Sequence, residues 1–270
     1  MSAQAVATES FSRDLAGKVA IVTGGSQGLG EAIAREFASR GVAGLLLTGR
    51  NVERGEAVAA SLTTTSCKAA FHAADLAGLD AVKGVVPAAE AAFGRLDILV
   101  NAAGDTDRGS ILDTSPELYE RIMGVNLRAP FFLIQGAAEL MRRQTISGAI
   151  VNIQSMSAHG GQPFLAAYSV SKGALATLTK NAAYGLLKDR IRVNGLNIGW
   201  MATPGEDAIM KLRHGAQDGW LIEAVKSQPF GRLIDPREVA KAVAYLASAE
   251  SGLMTGANID FDQTILGAHD

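Results

Sequence analysis

The sequence predicts an α/β domain of the doubly wound kind, a three-layer sandwich in which a parallel sheet is covered by helices on both faces. Three observations predict it. Short β-branched runs alternate with segments of helical apolar spacing from residue 18 to residue 261, which is the pattern of repeated βα units. A glycine-rich turn joins the first strand to the first helix. No break in composition divides the 270 residues, a length that suits one large α/β domain over 15–270.

Taken in order, residues 1–14 are polar, rich in small side chains and aperiodic, and read as a flexible tail. Residues 18–23 (KVAIVT) are a buried strand. Leu29, Ile33 and Phe37 then recur at four-residue spacing, one apolar face of a helix that Arg40 and Gly41 close. Strands follow at 44–48 and 68–73, a helix at 80–93 and a strand at 96–101 (LDILVN). Ser115 and Pro116 start a long helical stretch that runs to about Arg143, with a hydroxyl cap and a proline in the first turn. A strand at 149–153, a helix at 167–188, a strand at 191–198, a helix at 236–249 and a strand at 257–261 complete the alternation. The segment 203–233 departs from the rhythm. It is long, helical in parts and carries His214, Trp220 and Phe230, which reads as a lid or substrate loop.

Charge and cysteine content exclude several classes. The 25 basic and 27 acidic side chains give a net charge of −2, so there is no basic field for a nucleic acid or an acidic membrane. Cys67 is the sole cysteine, which rules out an intramolecular disulfide. Residues 1–12 lack a basic start followed by an apolar run, and no stretch approaches the ~20 apolar residues of a membrane span. A cytoplasmic location is expected. His159 has no partner cluster near it in sequence, and no metal site is expected.

The turn Thr23-Gly24-Gly25-Ser26-Gln27-Gly28-Leu29-Gly30 lies between a strand and an amphipathic helix. Glycine permits positive φ, lets a pyrophosphate approach the backbone, and allows the helix to pack close to the strand. The helix start adds free N–H groups for phosphate. Gly24, Ser26, Gln27, Gly28, Leu29 and Gly30 are therefore candidate dinucleotide contacts. About twenty residues on, an acidic side chain would bind a free ribose 2′-hydroxyl. The sequence there reads Thr48-Gly49-Arg50-Asn51. Arg50 suits a 2′-phosphate, which favours NADP over NAD.

Tyr168 and Lys172 are four apart in an expected helix and share a face. A tyrosine near pKa ~10 is a poor base at neutral pH, and a neighbouring ammonium is expected to lower that value. Tyr184 and Lys188 repeat the spacing, and each tyrosine follows a serine by thirteen residues, Ser155 and Ser171. Ser155 precedes a loop that can fold back onto Tyr168. Ser171 and Tyr184 share one helix, which puts them ~20 Å apart. Tyr184 and Lys188 are ordinary helix-side residues on this reading.

With these residues in view, the chain resembles the short-chain dehydrogenase/reductase family in its form of about 250 residues. The resemblance spans about Leu15 to Phe261. It rests on the Thr23–Gly30 turn, the Asn101-Ala102-Ala103-Gly104 segment, the Val-Asn-Leu segment with Asn126, and the set Ser155, Tyr168 and Lys172. It implies a Rossmann-like fold with a seven-stranded parallel sheet and a homotetramer or homodimer. It implies Tyr168 as acid/base, Lys172 as its tuner and ribose contact, Ser155 as the group polarising the carbonyl, and Asn126 as holder of a water that relays protons. Asp75 and Leu76 would flank the adenine. Asn101, Ala102 and Gly104 would line the cofactor, and Thr203 would meet the carboxamide. Ile198-Gly199 stands where the family usually has Pro-Gly, Gln154 where a second serine is common, and Phe261-Asp262-Gln263-Thr264 where many relatives have a glycine pair.

By the same analogy, 159–164, 105–110 and 204–233 would line the substrate pocket, bringing His159, Gln162, Trp200, His214 and Trp220 to it. That mixture suits a sugar, a polyol or a small cyclic ketone. Three readings stay open: an NADP-linked reductase of a small carbonyl compound, an NAD-linked sugar or alcohol dehydrogenase, and a non-catalytic nucleotide-sensing protein.

Overall fold

Seven strands pair in parallel in a single sheet of order β3-β2-β1-β4-β5-β6-β7 in a computed structural model that describes residues 14–267. They are β1 (Val19–Thr23), β2 (Gly44–Gly49), β3 (Lys68–Ala73), β4 (Ile98–Asn101), β5 (Ala149–Ser155), β6 (Arg192–Ile198) and β7 (Asn258–Phe261). The helices are α1 (Gly28–Ser39), α2 (Val52–Leu62), α3 (Leu79–Phe93), α4 (Pro116–Met123), α5 (Ala129–Arg143), α6 (Ala166–Gly185), α7 (Pro204–His214), α8 (Trp220–Lys226) and α9 (Pro236–Ala247). The tail expected over 1–14 lies outside the described residues except for Asp14, whose carboxylate is 3.1 Å from Arg40 Nη1.

The central strands are apolar on both faces because helices cover both. Ala20, Val22, Leu45, Leu47, Val100 and Val151 face Ile33 and Phe37 of α1, Val58 and Leu62 of α2, and Val239 and Val243 of α9. The intervening Ile21, Leu46, Leu99 and Ile150 face Val82 and Val85 of α3 and Leu133 and Ala137 of α5. Such two-sided burial turns the period-2 alternation of a strand into a continuous apolar run. One helix beyond those expected from sequence, α2, starts where the Asn51 side chain accepts from Arg54 N at 2.8 Å.

Two expected helices end differently. The stretch from Ser115 to Arg143 is broken by a π-helical turn over Gly124–Arg128. Pro130, in the first turn of α5, has no N–H to give the Asn126 carbonyl four residues earlier. The ladder widens, and Ala129 N bonds instead to Gly124 O. The helix expected to reach Lys188 ends at Gly185, and Leu187–Asp189 is a 3₁₀ turn.

The chain winds outward through β1, β2 and β3, then returns to place β4 on the other side of β1. Loops at the carboxyl ends of β1 and β4 therefore diverge, and this is where doubly wound sheets open a crevice for ligands.

Candidate active site

A cleft of roughly 680 Å³ opens at this crevice. Its floor is the glycine turn. Gly24 and Gly28 have φ of +68° and +57°, which strains any other residue. A Cβ on Gly30 would lie 2.2 Å from Gly24 O, so turn and helix pack at a distance only glycine allows. These residues fit a dinucleotide phosphate: the backbone is bare, and α1 begins at Gly28 with its N–H groups free for a ligand. Thr23, buried behind the turn, braces it. Its Oγ1 accepts from Ala102 N at 2.9 Å and Ala103 N at 3.0 Å, locking the end of β4 against the turn. The sequence reading counted Thr23 in the motif and gave it no role.

Of the expected site residues, Gly24, Gln27, Gly28, Leu29, Gly30, Ala102, Gly104, Ser155, Tyr168, Lys172 and Thr203 line this cleft. Thr203 caps α7, accepting from Glu206 N at 3.1 Å, and packs over Gly28. Ser26, Arg50, Asp75, Leu76, Asn101 and Asn126 do not line it. Asn101 is turned into the sheet, where its amide donates to Asn152 Oδ1 at 2.8 Å. Ser26 is buried with its Oγ against Gly49. Arg50 is exposed just past the end of β2, and no group among the described residues bonds to its guanidinium. Asn51 has its carboxamide oxygen committed to capping α2.

Ser155 ends β5 and caps the 3₁₀ turn Met156–His159, accepting from Ser157 N at 3.1 Å. Tyr168 stands in the first turn of α6, with Lys172 one turn on. Burial pushes the Tyr168 phenol above its ordinary pKa, and a hydrogen bond with Ser155 pulls the other way. The expected lowering by Lys172 is not among the effects on Tyr168. Lys172 is only 4% exposed, and its Nζ donates to Ile153 O at 2.8 Å, 5.7 Å from the centre of the Tyr168 ring. Burial drops the Lys172 ammonium to about 8, because a charge in low dielectric is disfavoured. Asn126 is fully buried. Its amide donates to Asp105 O at 2.9 Å and Ser171 Oγ at 3.1 Å, and its Oδ1 accepts from Asp105 N at 2.8 Å. A Cβ on Gly104 would lie 3.7 Å from Asn126 Oδ1 and 3.8 Å from Lys172 Nζ, so Gly104 is flanked by both. Ser171 donates to Tyr168 O at 2.7 Å and ties the π turn to α6. The repeat Tyr184 is 81% exposed, and Lys188 falls beyond the helix.

Gln162, Trp200 and His214, expected to line a substrate pocket, line the same cleft. His159 and Trp220 do not. His159 Nε2 lies 3.0 Å from Asp260 Oδ1, and Trp220 stacks behind Trp200 at 5.8 Å with its N–H on Asp207. Arg108, Glu206 and Met210 line it from within the 105–110 and 204–233 segments expected there, though none was named individually, and Asp262 lines it from the departing C-terminal segment, for which no role was expected. Gln154 points into the sheet and bonds to Thr179 and Asn258. Among the described residues no group of three or more His, Cys, Asp or Glu side chains is placed to hold a metal ion.

A glycine cradle at the switch point of a doubly wound sheet, opening onto a serine, a tyrosine and a buried lysine, defines a dinucleotide-dependent class of protein. Comparison with known proteins gives the particular family. Residues 24–264 match the family model described as enoyl-(acyl carrier protein) reductase. The chain is 36% identical to the NADP-dependent (R)-specific alcohol dehydrogenase of Lentilactobacillus kefiri, covering 92% of this chain and 96% of that one. It is 36% identical to the L-rhamnose 1-dehydrogenase (NAD(P)(+)) of Azotobacter vinelandii, covering 91% and 95%. A solved structure described as a short chain dehydrogenase/reductase family protein superimposes with a TM-score of 0.78 at 32% identity, over 93% of this chain and 97% of that one. The chain belongs to the short-chain dehydrogenase/reductase family and is an oxidoreductase.

Proposed function

We propose that this protein is an NADP-linked oxidoreductase that interconverts a secondary alcohol and a carbonyl on a small neutral molecule, with Tyr168 as the acid/base. The observation that carries the reading is the convergence of Ser155, Tyr168 and Lys172 on the cleft floored by the glycine turn. A nicotinamide dinucleotide held over the glycine turn would supply hydride transfer to or from the carbinol carbon. Tyr168 takes the hydroxyl proton in oxidation and gives it back in reduction. Ser155, which lines the cleft with Tyr168, holds the substrate oxygen beside the phenol. Lys172, whose ammonium gives up its proton near pH 8, is the next proton carrier, and Asn126 fixes the Asp105 backbone and Ser171 around it.

Arg50 reads the 2′-phosphate. Its guanidinium is free at the strand end where an acid would otherwise hold the ribose, and a relative named as NADP-dependent supports this. Gly24 to Gly30 hold the pyrophosphate, Asp75 and Leu76 flank the adenine, Asn101 to Gly104 back the cofactor, and Thr203 meets the carboxamide. The whole of 15–270 acts as one domain, with 203–233 as substrate segment. It works in the cytoplasm. A homodimer or homotetramer is supported by the groove of Met123, Leu127, Phe131 and Phe132 along α4, the π turn and α5.

Titration of wild type and Tyr168→Phe with NADPH and NADH, followed by nicotinamide fluorescence and then by turnover of secondary alcohols, tests both parts. Both proteins are expected to bind NADPH more tightly, and the variant to lose about 10²–10⁴-fold in turnover. Full turnover by the variant overturns the mechanism, and tighter NADH binding overturns the role of Arg50.

A further inference from the structure

Beside Tyr168 the cleft holds an ion pair that the hydride reaction does not need. Arg108 Nη2 lies 3.3 Å from Glu206 Oε1, with the side chains 13% and 15% exposed. Arg108 is fixed from every side. Its Nε donates to His214 Nε2 at 3.2 Å, its Nη1 donates to Thr106 O, and its guanidinium lies 5.8 Å from the centre of the Phe164 ring. The backbone behind it is clamped, with Gly109 N on Phe164 O and Ala166 N on Gly109 O. Glu206 is fixed too. Its Oε1 accepts from Trp200 Nε1 at 2.9 Å, and its own N–H goes to the Thr203 cap. Three elements therefore meet on one pair of charges, and all of them line the cleft with Ser155 and Tyr168.

The unused valences decide what such a pair holds. Among the described residues no group bonds to Glu206 Oε2. Nη1 and Nη2 of Arg108 each keep a second N–H. An acceptor and a donor side by side, with no net charge, complement a neutral hydroxyl, which both donates and accepts. An anionic group would meet Glu206 and also Asp262, a second carboxylate lining the cleft, which abuts Gly199 and has no cationic partner among the described residues. A purely apolar alcohol would leave both halves of the pair desolvated and incompletely bonded, which costs affinity. Both charges also act on the Tyr168 phenol across the cleft they share, Glu206 raising its pKa and Arg108 lowering it.

We propose that Arg108 and Glu206 form a second substrate anchor that reads a hydroxyl other than the reacting one, so that the substrate is a neutral polyhydroxylated molecule rather than a monohydric alcohol or a hydroxy acid. This rests on the alcohol–carbonyl reading of the site, and deepens it. Asp262 also accounts for part of the changed C-terminal segment: its carboxylate occupies the space over Gly199, while Gln263 accepts from Phe230 N and donates to Arg232 O to hold the end of the substrate segment.

The test compares 2-butanol, 2,3-butanediol and 3-hydroxybutyrate, and cyclohexanol against 1,2-cyclohexanediol. The diols are expected to exceed the matching monohydric alcohols in kcat/KM by about tenfold or more, chiefly through KM. Arg108→Met is expected to bring that ratio close to one. Equal use of diol and monohydric alcohol by the wild type, preference for the hydroxy acid, or an unchanged ratio in the variant would each overturn the proposal; the last would make the pair a structural latch. A second readout does not need turnover. The chain has two tryptophans, stacked on each other, and Trp200 donates to Glu206. Titration with 1,2-cyclohexanediol is expected to change their emission in wild type and Tyr168→Phe, and not in Glu206→Gln. Diol binding without turnover keeps the anchor and removes the catalytic reading; turnover without diol selectivity keeps the catalytic reading and removes the anchor.

Discussion

The glycine turn and the 203–214 segment border the same cleft and are held by opposite physics. α1 buries Leu29, Gly30, Ile33, Ala34 and Phe37 against the sheet, and the turn before it is set by steric contacts too close for any Cβ. α7 buries no residue at all. It is held by its Thr203 cap and by ion pairs, Arg108–Glu206 and Asp107–Arg213, that reach across to the 105–108 loop. One wall is fixed by excluded volume, which neither salt nor pH alters. The other is fixed by charge, which both alter. A rigid cofactor side with an electrostatically closed substrate side is what an enzyme needs if it binds one cofactor and must admit and release a substrate each cycle.

The contrast breaks first at Gly30. In Gly30→Ala the added Cβ would meet the Gly24 carbonyl at 2.2 Å, and backbone on both sides cannot yield. Cofactor affinity is expected to fall by more than about a hundredfold, with a loss of stability at or above the upper end of about 1–3 kcal/mol. NADPH titration and urea unfolding measure the two effects. Unchanged binding would show that the turn tolerates movement and that the wall is not sterically set.

The steric side was legible in the sequence, and the electrostatic side was not. Strand runs and the glycine turn are local patterns, so β3 was placed to the residue and Gly24, Gly28 and Gly30 fell where expected. The break at Asn126 was also local: Pro130 stands four residues later and removes the N–H its carbonyl needs, a signal present but passed over. Arg108 and Glu206 are 98 residues apart, and nothing near either one announces the pairing. Ser171 looked like half of a false repeat, and only the approach of the π turn to α6 makes it the partner of Asn126. His159 was expected in the pocket by family analogy alone, but the carboxylate of Asp260 on β7 takes it away.

The buried lysine sharpens the comparison, because it is a charge inside the rigid half. Its folded pKa is about 8 against an ordinary value of 10.5. Between those values the unfolded chain holds a proton that the folded protein has lost, so stability rises with pH across that window, while below about 8 the full penalty is present. Lys172→Met in the cofactor-free protein is expected to gain relative to wild type at pH 7, on the order of 3 kcal/mol more than at pH 10.5. The lost bond to Ile153 O offsets both measurements alike. Urea unfolding of the two proteins from pH 7 to 10 measures the difference. A difference independent of pH would mean that Lys172 is solvated in the folded state.

The smallest effect falls on the outer ion pair. Arg213 grips both oxygens of Asp107, at 2.6 and 2.7 Å, while Arg121 holds the same carboxylate from the other side at 2.7 Å. Together they lower the Asp107 pKa from its ordinary value, the Arg213 bond leading. Arg213 is exposed, so Arg213→Ala is expected to leave global stability nearly unchanged. α7 has no buried side chain to hold it in place, so the loss should appear locally. Cleavage between 204 and 215 by a dilute protease should speed up several-fold, and KM for the substrate should rise without a matching fall in kcat. Added salt should reproduce part of the KM rise in wild type and little in the variant. If cleavage and KM are unchanged, the cap at Thr203 and the stacked Trp200–Trp220 pair hold the segment without the outer charges, and its electrostatic closure reduces to Arg108 and Glu206 alone.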